Sequence, residues 1–163
     1  MRKNKLSKRN KHFPVHKLIP NLVTIGALCS GLSAIRFAMI ENWEMSVTFL
    51  IIAAFLDGID GSIARLLNAT SNFGAQLDSL SDFVCFGVSP AIVLYMWVLE
   101  DIKRFGWALV LFYVICCGLR LARFNTSLME EVKEDWQNRF FTGVPAPAGA
   151  LLVILPLIAT LEY

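Results

Sequence analysis

The sequence is short of the residues that build zinc sites and disulfide frameworks. It contains two histidines and four cysteines in 163 residues. The cysteines show neither metal-ligand spacing nor a paired pattern: Cys29, Cys85, Cys116 and Cys117. All four lie inside apolar stretches, where thiols pack as small apolar side chains. The sequence therefore argues against a zinc domain and against a disulfide-stapled secreted fold.

Acidic residues are absent from residues 1–17, although seven of the fifteen lysines and arginines lie there. This basic tail is too polar to pack into a core, and we expect it to be disordered or to lie on an anionic, cytoplasmic membrane face. A nucleic-acid-binding arm is the alternative. Because an apolar span follows at once, the membrane interpretation is favoured and no nucleic-acid partner is expected.

The rest of the chain, residues 18–163, has the composition of a membrane domain. Apolar residues make up 56% of the sequence, above the roughly 45–50% of soluble proteins. Five apolar runs predict transmembrane helices: 18–40, 45–67, 75–99, 105–124 and 143–161. Because backbone groups in lipid must be satisfied within each span, the predicted fold is an all-α, polytopic transmembrane helix bundle.

Four carboxylates interrupt the second and third runs. Asp57 and Asp60 are three residues apart, and Asp78 and Asp82 are four apart, so each pair projects from one helix face. Four anions at one point would repel, and only Arg65 lies near them in sequence. A bound divalent cation resolves this, and hard oxygen ligands suit Mg²⁺, Mn²⁺ or Ca²⁺. Two ions sharing the cluster are plausible. Buried ion pairs are the alternative, but one arginine cannot pair four acids.

Small residues accompany the carboxylates. Gly58, Gly61 and Ala64 recur every three residues and clear a strip of helix surface for a flat ligand or another backbone. Gly74 follows a polar turn that divides the segment into two helices, with Ser71 or Asn72 as the N-cap of the second.

The spacing Asp57-x-x-Asp60-Gly61-x-x-Ala64-Arg65, followed by Gly74-x-x-x-Asp78-x-x-x-Asp82, resembles the signature of the CDP-alcohol phosphatidyltransferases. The resemblance implies an integral membrane enzyme that moves a phosphatidyl group from a CDP-linked lipid to an alcohol, releases CMP and uses a divalent metal, for which Mg²⁺ or Mn²⁺ is expected. It also implies roles for single residues. Asp57, Asp60 and Asp78 would be metal ligands, and Asp82 a ligand and the base for the acceptor hydroxyl. The CDP pyrophosphate would lie against Gly61, Ala64, Arg65 and Gly74.

Two further sets of polar residues lie at predicted helix ends. Pro20-Asn21-x-x-Thr24 is similar to a family element that borders the nucleotide, so Asn21 and Thr24 are candidates for CDP binding; helix capping is the alternative. Arg120 and Arg123 share a face at the level of the acidic cluster. Their guanidinium groups suit donor phosphates or an acceptor carboxylate, with lipid headgroup anchoring as the alternative.

Two residues bear on the acceptor alcohol. Family members that use glycerol 3-phosphate typically have proline and lysine where this chain has Ser79 and Phe83. The stretches 77–91, 120–125 and 141–148 instead resemble the phosphatidylserine synthase branch. The predicted reaction is therefore transfer from CDP-diacylglycerol to L-serine. The alternatives are a glycerol 3-phosphate or inositol phosphate acceptor and, in another functional class, a divalent-cation transporter.

Three expectations concern the whole molecule. The family usually has at least six transmembrane helices and five are predicted here, so the chain is either truncated after Tyr163 or a short member. The basic tail places the N-terminus and the active site in the cytoplasm. Membrane lipids and a second copy in a homodimer are the other expected partners.

Overall fold

Five helical segments follow the apolar runs of the sequence. The computed structural model describes residues 18–66, 71–102, 104–129 and 145–161, without the side chains of residues 18, 19, 64, 65 and 127–129. The segments are α1 (Leu18–Ala38), α2 (Trp43–Leu66), α3 (Asn72–Ile102), α4 (Arg104–Met129) and α5 (Ala146–Leu161). The predicted all-α membrane bundle is confirmed.

Four of these segments, α1 to α4, are long and apolar enough to cross a membrane. The fifth, α5, is also apolar but has 16 residues as described, fewer than the roughly 20 that a bilayer-crossing helix needs. The predicted basic tail, residues 1–17, and the 130–144 connection before α5 lie outside the described residues.

The connection between α1 and α2 is shorter than predicted. Trp43 and Glu44 lie between the first two predicted apolar runs but belong to α2, because Asn42 caps the helix: its Oδ1 accepts a hydrogen bond of 3.2 Å from the Met45 amide. Glu41 has a φ of 59°, and its amide donates to the Ala38 carbonyl at 2.9 Å. The left-handed residue reverses the chain and satisfies a carbonyl at the end of α1.

Helix α3 is continuous over 31 residues but changes its hydrogen bonding along its length. It is α-helical over Asn72–Asp82 and Ser89–Leu94, π-helical over Phe83–Val88 and Tyr95–Leu99, and ends in a 3₁₀ turn. Gly87 lies in the first π-helical stretch, and Pro90 follows it in the α-helical stretch.

A side chain of α4 also bonds to the backbone of the first π-helical stretch. The Tyr113 hydroxyl donates to the Phe86 carbonyl at 2.9 Å. The same bond ties α3 to α4.

Helices α1 and α3 approach each other closely along a line of small residues. A Cβ added at Gly31 would lie 2.8 Å from Cys85 Sγ and 3.2 Å from its Cα. Two groups of α3 donate to α1 carbonyls along this line: Cys85 Sγ to Ala27 at 3.3 Å, and Ser81 Oγ to Thr24 at 3.3 Å. Small side chains and hydrogen bonds of this kind join helices in lipid, where the hydrophobic effect does not.

The larger of two apolar clusters among the described residues lies at the opposite end of the bundle from the acidic residues. Four helices contribute to it: Ala34, Ala38, Val47, Leu50, Val93, Ile154 and Leu157. Phe37 stacks on Phe49 at its edge, with ring centroids 5.1 Å apart.

Candidate metal centre and active site

The two pairs of carboxylates meet at one end of the bundle. Asp57 and Asp60 lie in the last turns of α2, and Asp78 and Asp82 lie in the first turns of α3. Each of Asp57, Asp60 and Asp78 offers a carboxylate oxygen, and these three oxygens lie within 4.8 Å of one another. The structure therefore brings together the predicted ligands from both helices.

Asp82 borders this cluster. Its carboxyl group lies within hydrogen-bonding reach of Asp57, while its Oδ1 is buried and has no hydrogen-bond partner among the described residues. A buried carboxylate oxygen without a partner is costly unless a cation or donor compensates it. Asp82 therefore also fits a shared cation or a proton that comes from a bound molecule.

The charge of the cluster is not balanced by side chains that the structure describes. Among the side chains that the structure describes, which do not include that of Arg65, no lysine or arginine forms an ion pair with these carboxylates. Three carboxylate oxygens at this separation, with a fourth acid beside them, fit a hard divalent cation such as Mg²⁺ or Mn²⁺.

Asp60 is held by a residue of α1. Thr24 Oγ1 donates a hydrogen bond of 2.7 Å to Asp60 Oδ2, and both residues are buried, with exposed fractions of 4% and 3%. Thr24 does not cap α1, because it lies inside the helix. Its predicted role at the nucleotide stays a prediction.

The start of α1 also approaches the start of α3. A Cβ added at Gly74 would lie 3.0 Å from Asn21 Oδ1 and 3.1 Å from Ser71 Oγ. Ser71 is the N-cap of α3, as one of the two predicted alternatives had it, and its Oγ accepts from the Gly74 amide at 3.0 Å. Asn21 and Gly74 thus lie together, one turn from Thr24 and Asp78 respectively.

The predicted small-residue strip of α2 is open where it is described. A Cβ added at Gly58 or Gly61 would meet no atom within 4 Å. The clear surface lies directly beside Asp57 and Asp60 and leaves room for a flat ligand. Ala64 and Arg65 continue the strip in sequence, but their side chains lie outside the described residues.

Arg120 and Arg123 lie on the last turns of α4 and are exposed. Ser79, next to Asp78, donates to Asn125 Oδ1 at 3.1 Å. This bond places the end of α4 at the acidic end of the bundle, as predicted from the spacing. Neither arginine forms an ion pair within the described part of the chain, so their predicted phosphate or carboxylate binding stays a prediction.

Sequence reasoning missed three polar contacts that shape this end. They are the Thr24–Asp60 bond, the Ser81–Thr24 bond and the Ser79–Asn125 bond. The available signal was weak: a hydroxyl inside an apolar helix needs a hydrogen-bond partner, but its position along the chain does not say which one.

The chain is similar to proteins of known family. A family model described as CDP-alcohol phosphatidyltransferase matches residues 17–162. The chain is 43% identical over 147 residues to a CDP-diacylglycerol–serine O-phosphatidyltransferase of Mycobacterium leprae, which covers 90% of this chain and 49% of that protein. It is 38% identical over 146 residues to the Helicobacter pylori J99 protein of the same name, covering 90% and 60%.

A Bacillus subtilis protein with the same name is 41% identical over 138 residues, which cover 84% of this chain and 74% of that protein. The chain thus spans about half the length of the mycobacterial relative and three quarters of the Bacillus one. The matched family region contains the acidic residues and all the described helices.

Proposed function

We propose that this chain, which belongs to the CDP-alcohol phosphatidyltransferase family, transfers a phosphatidyl group from CDP-diacylglycerol to L-serine and releases CMP. One observation carries the proposal: carboxylate oxygens of Asp57, Asp60 and Asp78 lie within 4.8 Å of one another beside Asp82. The acceptor is inferred from relatives named CDP-diacylglycerol–serine O-phosphatidyltransferase.

The carboxylates would hold the metal. The family depends on a divalent cation, and we propose two Mg²⁺ or Mn²⁺ ions held by Asp57, Asp60, Asp78 and Asp82. Ions bound there would neutralise the pyrophosphate of the donor.

Asp82 would act on the acceptor. Its unpartnered buried oxygen is suited to accept the proton of the serine hydroxyl. The hydroxyl oxygen then forms a bond to the phosphatidyl phosphorus, and the bond from that phosphorus to CMP breaks. Asn21, Gly61, Ala64, Arg65 and Gly74 would contact the CDP group at the open surface of α2 and the start of α3.

The two arginines of α4 would bind anionic groups at the same end. Arg120 and Arg123 are exposed, and the Ser79–Asn125 bond holds their helix end near Asp78. Guanidinium forks match both a phosphate and the carboxylate of serine. We propose that they bind the donor phosphates or the serine carboxylate.

The depth of the cluster suits a lipid substrate. This is an integral membrane protein, and at 1.5 Å per residue Asp78 lies about 9 Å from the start of α3 and Asp57 about 14 Å from the end of α2. The donor's acyl chains would remain in the bilayer while its headgroup enters from the surface. We propose that this surface is cytoplasmic, as the basic tail predicts, and that two copies form a homodimer.

The test is CMP release by the purified chain in detergent with CDP-diacylglycerol and L-serine, glycerol 3-phosphate or inositol phosphate. We expect release that requires serine and Mg²⁺ or Mn²⁺, stops with chelator, and falls to background in Asp82→Asn. Asp101→Asn is the matched control, because Asp101 is an exposed acid at the other end of α3.

CMP release with glycerol 3-phosphate or inositol phosphate in place of serine would show that the acceptor is a different alcohol. The proposed mechanism would still stand. No CMP release with any acceptor, together with metal uptake into vesicles that depends on Asp57, would refute the transferase in favour of a cation transporter.

A further inference from the structure

Thr24 lies where α1, α2 and α3 meet. Its Oγ1 is 2.7 Å from Asp60 Oδ2 on α2 and 3.1 Å from the Pro20 carbonyl in its own helix. Its carbonyl accepts a hydrogen bond of 3.3 Å from Ser81 Oγ on α3. A threonine hydroxyl has one proton, and a carboxylate is the stronger acceptor, so the shorter bond to Asp60 is the dominant one.

We propose that Thr24 is a positioning residue, which sets the orientation of the Asp60 carboxylate and thereby the affinity of the cluster for a divalent cation. The inference rests on the proposed function in one respect, that Asp60 is a metal ligand. It assigns to Thr24 an action through Asp60, in place of the direct nucleotide contact that the resemblance implied.

The need for such a residue follows from the charges. The last torsion of an aspartate side chain is soft, and the Asp60 carboxylate faces the Asp57 and Asp78 oxygens within 4.8 Å. Repulsion would turn it away when no cation is bound. A buried hydroxyl that donates to Oδ2 holds one orientation and leaves the other lone pairs of the carboxylate for an ion.

Ser81 in turn holds Thr24, the hydrogen-bond donor to Asp60, in place. Its bond to the Thr24 carbonyl joins α1 to the stretch of α3 between Asp78 and Asp82. The bond thus fixes the position of Thr24 along the bundle relative to Asp60. It is made by α3, the helix that carries Asp78 and Asp82. With an exposed fraction of 4%, Thr24 itself offers little surface to a substrate.

The experiment measures Mn²⁺ binding to the full chain in detergent by electron paramagnetic resonance, without substrate. Removal of an outer partner of a metal ligand typically costs 10–100-fold in affinity, so we expect Thr24→Val to raise the Mn²⁺ dissociation constant by about that factor. Thr24→Ser keeps the hydroxyl and is expected to restore an affinity close to wild type.

The matched control is Ser46→Ala. Ser46 is also buried and also bridges α1 and α2, with its Oγ donating to the Ala34 carbonyl at 2.9 Å, but at the opposite end of the bundle. We expect it to lower the melting temperature and leave Mn²⁺ affinity unchanged. As a second readout, Thr24→Val should raise the metal concentration that gives half-maximal CMP release, with kcat largely recovered at saturating metal.

Two results would overturn the inference alone: wild-type Mn²⁺ affinity in Thr24→Val with a lowered melting temperature, or equal losses of affinity in Thr24→Val and Thr24→Ser. Mn²⁺ binding without CMP release in the wild type would count against the proposed function and leave the inference to be decided by the variants. A wild-type chain that binds no Mn²⁺ would refute both.

Discussion

The two ends of the bundle are held together in different ways. At the acidic end, side chains of one helix donate to polar groups of another: Thr24 to Asp60, Ser81 to Thr24 and Ser79 to Asn125. At the other end apolar packing predominates beside one such bond, from Ser46 to the Ala34 carbonyl: Ile154, Leu157 and Val93 pack among apolar residues of α1 and α2. The acidic end gathers charges that repel, whereas the apolar end has no such cost. Stability and chemistry are therefore expected to respond to different substitutions.

The largest effect should come from removing a charge at the acidic end. We expect Asp57→Asn to reduce CMP release by roughly a thousandfold, about 4 kcal/mol, because charge stabilisation by a bound metal is worth several kcal/mol. In the presence of chelator, its melting temperature should not fall, since one of the repelling carboxylates is gone. A chelator-treated protein that melts well below wild type would instead make Asp57 a structural acid.

The next effect belongs to the apolar end. Ile154 is 2% exposed in the core cluster, and Ile154→Ala should lower the free energy of unfolding by about 2–5 kcal/mol through lost contacts and a cavity. Reversible unfolding in mixed detergent measures this, with Leu152→Ala as the control because Leu152 lies on the same helix and is 63% exposed. Mn²⁺ affinity should be retained, and its loss would show that the two ends are coupled.

A smaller effect is expected between the two ends, where α1 and α3 approach each other closely. A Cβ at Gly31 would lie 2.8 Å from Cys85 Sγ and 3.2 Å from its backbone, so Gly31→Ala should cost about 1–3 kcal/mol by forcing α1 and α3 apart. The control is Gly149→Ala, where an added Cβ meets nothing within 4 Å. The same unfolding assay applies, and equal stability of the two variants would contradict the close approach.

A feature of the fold or of the site could be predicted from the sequence when it lies within a single helix. Apolar runs predicted the helices, and spacings of three and four residues predicted that each pair of acids shares a face, because both signals lie within one helix. The helix limits were wrong at Trp43 and Glu44, where the Asn42 cap moved the start of α2.

The meeting of the carboxylates of α2 and α3 was predicted from their charge, but the individual hydrogen bonds between helices could not be predicted. The Thr24–Asp60 bond depends on how α1 is rotated against α2, and no local pattern encodes that rotation. Nor could the π-helical stretch of α3 be predicted, and the Tyr113 hydroxyl that bonds to its Phe86 carbonyl comes from a different helix.

The π-helical stretch Phe83–Val88 has a consequence for the angular phase of α3. A π-bulge is an α-helix with one residue inserted, and one residue corresponds to about 100° of rotation. A helical wheel drawn through the whole of α3 would therefore assign the wrong faces to the residues either before or after the π-helical stretch. Deleting a single residue there would leave Asp78 and Asp82 in place while turning the buried face beyond Val88 toward the lipid.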